Sequence, residues 1–185
     1  MKMSDEKDLP VSQDIAWQAL NDIELLQSSI PGCESIELKE DGSYGILITA
    51  AVGPIRAKFK GDMRMLDVIA PTSYRLEFNV QGGAVGYGRG DATVALTPSS
   101  PGSTRLQYTT EAKVGGKLAQ VGARLIDMAA QKMAGEFFDA FQAELTKRYA
   151  PASDVSQVEV GLPQKARGNV SLWTRFNIWF GKLFA

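Results

Sequence analysis

The chain has 185 residues, of which 44% are hydrophobic, and its 20 basic and 21 acidic side chains give a formal net charge of −1. This length and apolar content predict one domain with a full core, plus an appendage. The absence of histidine excludes histidine-based catalytic triads and histidine-ligated zinc sites. The single cysteine, Cys33, excludes an internal disulfide and suits a reducing cytosol. Residues 1–10 lack an apolar segment, so we expect no signal peptide.

The N-terminal part of the chain predicts one strand followed by two short helices. Residues 2–10 are polar-rich and favour a short strand. Ser12 or Asp14 can cap a helix that extends to Leu20. A second short helix is predicted over residues 22–28, and the sequence Ile-Pro-Gly at residues 30–32 ends it.

A long stretch of period-two alternation follows and predicts about six consecutive strands. Their alternating segments are residues 36–38, 44–52, 55–65, 74–80, 92–96 and 106–114. Short turns join them, so the strands are expected to be antiparallel. The glycine-rich residues 82–90 superficially resemble a phosphate loop, but no lysine-serine pair or helix follows them. A bulged, strongly bent strand is the favoured interpretation of this stretch.

Residues 117–149 contain no proline and carry apolar side chains at three- and four-residue spacing, which predicts one long helix. The sequence thus favours an α+β helix-grip fold, in which a curved antiparallel sheet of six or seven strands wraps around a long C-terminal helix. The predicted helix starts with the small residues Ala119, Gly122 and Ala123. Small side chains facing a concave sheet leave a gap unless large sheet residues fill it, and that gap can hold a ligand.

Apolar residues on the sheet and on the long helix are the candidates to line such a cavity. The predicted ligand-binding residues are Leu26, Ile30, Phe59, Phe78, Tyr87, Tyr108, Leu118, Gly122, Leu125, Met128, Ala129 and Met133. Met63, Met65 and Tyr74 are further candidates from the same pattern. The alternative is that all of these side chains simply form the core. Methionine would suit either role because it adapts to irregular apolar shapes.

The C-terminal residues divide into a predicted linker and a predicted amphipathic helix. Residues 150–168 are rich in Pro, Ser, Gly and polar side chains without periodicity, which indicates a flexible linker after a domain of residues 1–149. On a helix, the large apolar side chains of residues 169–185 fall within an arc of roughly 140°. They are Leu172, Trp173, Phe176, Trp179, Phe180, Leu183 and Phe184.

Charge favours a membrane surface as the binding site of this amphipathic segment. Residues 160–185 contain four basic side chains and no acid, for a net charge of +4, whereas residues 1–159 carry −5. Arg175 and Lys182 lie opposite the apolar arc, a pattern typical of helices that lie in a membrane surface. The segment is too short to span a bilayer. Docking on a partner protein or on the chain's own domain is the alternative.

Several short motifs resemble the CoxG family of carbon monoxide dehydrogenase accessory proteins, within the START-like (SRPBCC) superfamily, over about residues 3–148. The matching pieces are Leu9-Pro10-Val11, Trp17, Leu20-Asn21-Asp22, Ile30-Pro31-Gly32-Cys33, Gly53-Pro54, Phe59-Lys60-Gly61, Arg89-Gly90, the run from Gly115 to Ile126, and Phe137-Phe138. The resemblance implies a non-enzymatic accessory protein of an aerobic molybdenum hydroxylase, associated with bringing that enzyme to the cytoplasmic membrane. It also implies an apolar ligand between helix and sheet.

From these features we expect a cytoplasmic protein that is peripheral on the inner face of the cell membrane. Its expected partners are a carbon monoxide dehydrogenase-like hydroxylase, the membrane and an apolar ligand. An apolar cavity, a membrane segment and a redox partner together point to a quinone, menaquinone or ubiquinone, as that ligand. The acidic domain argues against nucleic acid, and no metal is expected. A pure membrane adaptor without ligand, or a START-like enzyme using carboxylates or Tyr87 and Tyr108, are the alternatives.

Overall fold

A computed structural model describes residues 1–149 as a single seven-stranded antiparallel sheet with three helices. The strands are β1 (Lys2–Leu9), β2 (Cys33–Leu38), β3 (Tyr44–Val52), β4 (Ile55–Ile69), β5 (Ser73–Gln81), β6 (Tyr87–Ser100) and β7 (Ser103–Gly115). The helices are α1 (Gln13–Leu20), α2 (Ile23–Ser29) and α3 (Ala123–Tyr149), with 3-10 turns at Gly83–Val85 and Gly116–Val121. The linker predicted over residues 150–168 and the amphipathic helix predicted over residues 169–185 lie outside the described residues.

The sheet has the strand order β1-β7-β6-β5-β4-β3-β2, so β2 to β7 form a continuous meander. β1 closes the other edge by pairing antiparallel with β7, with Leu9 opposite Thr104. The short turns between β2 and β7 permit only antiparallel neighbours. The predicted helix-grip class is confirmed, with seven strands and a C-terminal helix that packs over the curved sheet.

The densest part of the core lies under the C-terminal half of α3. Phe138, Phe141 and Leu145 of this helix are buried against α1, α2 and the sheet. Their apolar partners in this cluster are Leu9, Val11, Ala16, Ala19, Leu20, Leu25, Leu96 and Leu106. The N-terminal half of α3 is packed less closely, since Leu125 and Met128 are 40% and 56% exposed. Helix and sheet are therefore joined tightly at one end only.

Polar contacts fix the two short helices to this packed end. The Gln13 amide donates a hydrogen bond to the Leu96 carbonyl at 2.7 Å, which ties α1 to β6. Asp22 caps α2 by accepting from the Leu25 amide at 3.1 Å. Its second oxygen accepts from Arg148 at 3.0 Å, so the cap of α2 also holds the end of α3.

The long helix begins at Ala123 and not at Lys117, which corrects the prediction of a helix over residues 117–149. Gly122 has φ +93, a conformation that an α-helix does not contain. Residues 116–121 form a 3-10 turn before it, in which Leu118 is buried. The apolar spacing of this segment fits both kinds of helix, so periodicity alone did not separate them.

Close contact between two backbone segments accounts for glycines at the start of β6 and the end of β7. A Cβ atom added to Gly86 would lie 2.0 Å from the Gly115 carbonyl oxygen. One added to Gly116 would lie 2.6 Å from the Gly86 Cα atom. The pairing of Tyr87 to Gly90 with β5 and β7 continues without a shift of register, so the bulge that we predicted there is wrong. These glycines permit close approach of the two segments.

Candidate ligand cavity

A cavity of about 350 Å³ lies between the concave face of the sheet and the three helices. That volume is within the range of small-molecule sites in proteins. Its lining residues are Leu20, Asn21, Leu26, Ile30, Pro31, Ile36, Tyr44, Met63, Met65, Tyr74, Leu76, Ala92, Val94, Leu106, Tyr108, Met133, Ala134, Phe137 and Phe138. None is charged, and only Asn21 and three tyrosines carry a polar side-chain atom. The cavity therefore suits an uncharged, mainly apolar molecule.

Strand alternation explains which sheet residues face this space. On β5, Tyr74 and Leu76 line the cavity, whereas the intervening Arg75 forms an ion pair with Asp67 at 3.0 Å. On β4, Met63 and Met65 line it. Because successive side chains of a strand point to opposite faces, a single period-two pattern supplies both an apolar interior and a charged exterior.

Two methionines and the aromatic residues of α3 give the cavity wall its adaptability. Met63 and Met133 line the space from the sheet and from the helix. Phe138 of α3 stacks on Tyr108 of β7, with ring centroids 5.3 Å apart. The aromatic pair holds α3 at a fixed distance from the sheet, while the flexible methionine side chains can adjust to the shape of a ligand.

The Tyr74 hydroxyl is the most deeply buried polar group of the cavity. The side chain is 8% exposed, and its ring packs edge-on against Trp17, with centroids 5.7 Å apart. Burial raises the pKa of Tyr74 above its ordinary value of 10.0, because the charged phenolate would be poorly solvated. The phenol therefore stays neutral, and able to donate a hydrogen bond, throughout the physiological pH range.

This raised pKa predicts a loss of stability at alkaline pH. Unfolded Tyr74 releases its proton near pH 10, whereas the folded state retains it, so above about pH 10 the free energy of unfolding falls with rising pH. Urea unfolding between about pH 9 and pH 11 measures this slope. We expect Tyr74→Phe to have a shallower slope than the wild-type protein. Parallel slopes would show that burial does not perturb this tyrosine.

The structure brings four of the twelve predicted ligand-binding residues to the cavity. Leu26, Ile30, Tyr108 and Met133 line it. The other eight are placed elsewhere. Phe59 packs near Gly82, Phe78 lies further along β5, and Tyr87 is 39% exposed and covers Gly115. Leu118, Gly122, Leu125, Met128 and Ala129 belong to the 3-10 turn and the first turns of α3, which lie outside the lining. Leu125 instead reaches the β3–β4 turn at Gly53.

Several lining residues were absent from the predicted set although the sequence contains a signal for them. Tyr74 and Leu76 share the alternating face that the sequence identified on β5, and Met63 and Met65 share that of β4. Asn21 and Pro31 have no such signal, because they flank short helices. Their positions depend on how α1 and α2 pack against the sheet.

The convex face of the sheet carries a second, open groove with a different character. Acidic and basic side chains alternate across it, among them Arg64, Glu77, Arg89 and Asp91. Arg64 pairs with Asp41 at 2.9 Å. Because both signs are interspersed, this surface has no character that would select an apolar molecule or a polyanion.

Other candidate chemistry falls away within residues 1–149. The Cys33 thiol is half-buried and burial raises its pKa, so it is not an activated thiolate. No group of three or more metal-ligating side chains occurs in this part of the chain. Among its helices, none has the length and apolar character needed to cross a bilayer.

Comparison with known protein families identifies a match to most of the chain. The model of the carbon monoxide dehydrogenase family CoxG matches residues 6–146. A search of curated proteins found no match.

Solved structures with the same fold come from several bacteria. A conserved protein from Geobacillus kaustophilus has 28% identity and a TM-score of 0.75, over 80% of this chain and 96% of that one. A START superfamily protein from Mycobacterium smegmatis has 12% identity and a TM-score of 0.61, over 79% and 97%. The Zhui aromatase/cyclase from Streptomyces sp. R1128 has 13% identity and a TM-score of 0.59, over 81% and 97%. The last two likenesses establish the fold alone.

Proposed function

The chain belongs to the CoxG family of carbon monoxide dehydrogenase, and from this premise we propose that it is a non-enzymatic accessory protein of a molybdenum hydroxylase of the carbon monoxide dehydrogenase type. In this role it binds a hydrophobic ligand between helix and sheet and links the enzyme to the cytoplasmic membrane. The single observation that carries the proposal is the cavity, which no charged side chain lines.

A respiratory quinone, menaquinone or ubiquinone, is the ligand that best joins these parts. A soluble enzyme that delivers electrons to the quinone pool meets a solubility barrier, because an isoprenoid chain is almost insoluble in water. A protein that shields the quinone in an apolar cavity removes this barrier. The methionines of the wall suit a flexible isoprenoid chain, since they can rearrange around it.

Several features favour a binding role over catalysis. The cavity contains no carboxylate, and the chain has no histidine, so general acid–base chemistry would depend on tyrosine alone. The likeness to an aromatase/cyclase concerns the fold and does not bring catalytic groups to this cavity. The side chains that remain suit holding a neutral molecule.

The co-purified ligand is the first test of the proposed function. We expect organic extraction of the full-length protein, purified from its native membrane-containing lysate, to release an isoprenoid quinone that mass spectrometry identifies. The matched control is the Ala134→Trp variant, in which an indole occupies the cavity. Absence of isoprenoid lipid from the wild-type extract, together with no binding of added quinone, would leave only the adaptor role.

Membrane attachment is expected to depend on the apolar face of residues 169–185. Each basic side chain of this segment near an anionic surface adds about 1 kcal/mol of attraction, and aromatic side chains add apolar burial. In liposome flotation with anionic lipid, we expect Phe176→Asp/Trp179→Asp to lose most of the bound fraction. Thr174→Asp/Asn177→Asp adds the same charge opposite the apolar arc and should retain most of it.

The flotation result also separates the membrane from a protein partner. Equal flotation of the chain with and without residues 169–185 would contradict membrane attachment by this segment. If the deletion instead abolishes binding to the hydroxylase while flotation is unchanged, the segment is a partner-binding helix.

A further inference from the structure

We propose that the Tyr74 hydroxyl is the polar anchor of the ligand, donating a hydrogen bond to a carbonyl oxygen of an otherwise apolar molecule. This inference rests on the proposed function, because it concerns the same cavity. It adds the chemical class of the ligand, a neutral apolar carbonyl compound, and the direction in which that ligand lies.

The first support is that Tyr74 is buried without a hydrogen-bond partner among residues 1–149. Burial is the sole cause of its pKa shift, and no hydrogen bond contributes to it. In the described residues, Ser29 Oγ is the one fully covered side-chain polar atom without a partner. The Tyr74 oxygen is therefore not fully covered, and the open space that this side chain borders is the cavity.

A hydroxyl in such a position is incomplete in the free protein. Buried polar groups in native structures are almost always hydrogen-bonded, and the exceptions need an explanation. The surrounding wall supplies none, because the neighbours of Tyr74 in the lining, Leu76 and Val94, are apolar. A ligand oxygen that accepts from Tyr74 completes the group and is itself desolvated at little cost.

The other polar groups of the cavity are less suited to this role. The Asn21 side-chain amide already donates to the Trp17 carbonyl at 2.8 Å. Tyr108 is half-buried, and Asp5 contributes to its raised pKa, so this phenol is near a charged surface group. Tyr44 is also half-buried. Tyr74 alone combines burial, a neutral hydroxyl and an apolar surround.

The arrangement of the wall also orients the ligand. From Tyr74 the lining continues through Leu76 and then to Met65 and Met63 of the adjacent strand, ending at Tyr44. Met65 is opposite Leu76, and Met63 is opposite Tyr44. The carbonyl end of the ligand lies at Tyr74, and its apolar chain extends along the methionines toward β3.

Trp17 provides a direct optical reporter of this site. It contacts Tyr74 edge-on, and the chain has three tryptophans, of which the other two are Trp173 and Trp179. The full-length Trp173→Phe/Trp179→Phe protein therefore retains Trp17 alone. A quinone bound at Tyr74 will quench its fluorescence, so titration measures the dissociation constant.

The experiment compares two probes that differ only in their carbonyl groups. They are a naphthoquinone with one isoprenoid unit and the corresponding prenylated naphthalene. We expect Tyr74→Phe to weaken quinone binding about tenfold, as for the loss of one buried hydrogen bond, and to leave naphthalene binding unchanged. Tyr108→Phe, which removes a hydroxyl from the same cavity, should leave both unchanged.

Infrared spectroscopy of the bound quinone tests the hydrogen bond itself. In the wild-type complex we expect one carbonyl stretching band at lower frequency than in an apolar solvent, and in Tyr74→Phe we expect that displacement to disappear. The wild-type measurement does not depend on any variant folding correctly. A wild-type band at the apolar-solvent frequency would overturn the proposal.

The outcomes separate this inference from the proposed function. If the wild-type protein binds neither probe, the ligand-binding function fails, and the anchor fails with it. If it binds both probes but Tyr74→Phe binds the quinone with unchanged affinity, only the anchor is wrong. A tenfold loss that affects naphthalene equally would assign Tyr74 a packing role and overturn its role as donor.

Discussion

Replacement of Ala134 by tryptophan is expected to lower the affinity for an apolar ligand by about two orders of magnitude. Ala134 lines the cavity from the inner face of α3, so a larger side chain at this position occupies space that the ligand needs. Displacing about 100 Å² of ligand contact, at about 25 cal/mol per Å², removes about 2.5 kcal/mol of binding free energy. Isothermal titration with a short-chain quinone measures the change.

The matched control for this substitution is Ala143→Trp. Ala143 is exposed on the same helix and lies outside the cavity lining, so the same residue change should leave the affinity within about twofold. Circular dichroism and thermal unfolding establish that both variants are folded. Unchanged affinity in Ala134→Trp would mean that the ligand binds elsewhere, and the cavity would no longer support the proposed function.

The sheet was predictable because its signal is local. Tyr74 and Leu76 alternate with Arg75 and Glu77 on β5, and this alternation identifies both the strand and its buried face. The turns that join β2 to β7 are short, which fixes the antiparallel order without knowledge of distant contacts. Fold class and strand order thus follow from segments of about ten residues.

The start of α3 was less predictable because two kinds of helix share the same apolar spacing. Leu118 and Val121 are three residues apart, which fits a turn of either α-helix or 3-10 helix. Gly122 decides between them through its positive φ, and glycine in a helical pattern only weakly indicates a break. Five of the predicted cavity residues failed to reach the cavity for this reason, since they lie in or just after this turn.

The cavity lining depends on where a long helix crosses a sheet, and this is a long-range property. Phe59 and Met63 share one face of β4, yet Met63 borders the cavity and Phe59 packs under Gly82. No local pattern distinguishes these two residues. The difference follows from α3 approaching the sheet closely at Phe138 and Phe141, at the opposite end from its exposed Met128. Sequence alone identified the face, but not the part of it that remains unfilled.

This uneven packing leads to the largest expected effect on stability, that of Phe141→Ala. Phe141 is 0% exposed and stacks on Phe137, with ring centroids 5.4 Å apart. Truncation of a fully buried phenylalanine removes apolar contact and leaves a void, at a typical cost of about 3–5 kcal/mol. Since a domain of this kind is stable by roughly 5–15 kcal/mol, the variant is expected to be marginal. Urea unfolding gives the difference in the free energy of unfolding.

Met128→Ala is the matched comparison on the same helix. Its side chain is 56% exposed, so its truncation should change the free energy of unfolding by no more than about 0.5 kcal/mol. Phe141 does not line the cavity, and under conditions where Phe141→Ala is folded it should bind a short-chain quinone with nearly wild-type affinity. A cost of less than about 1.5 kcal/mol for Phe141→Ala would contradict the view that this end of α3 holds the fold together. Stability without it would then have to come from the wall of the cavity, which could not remain both unfilled and essential.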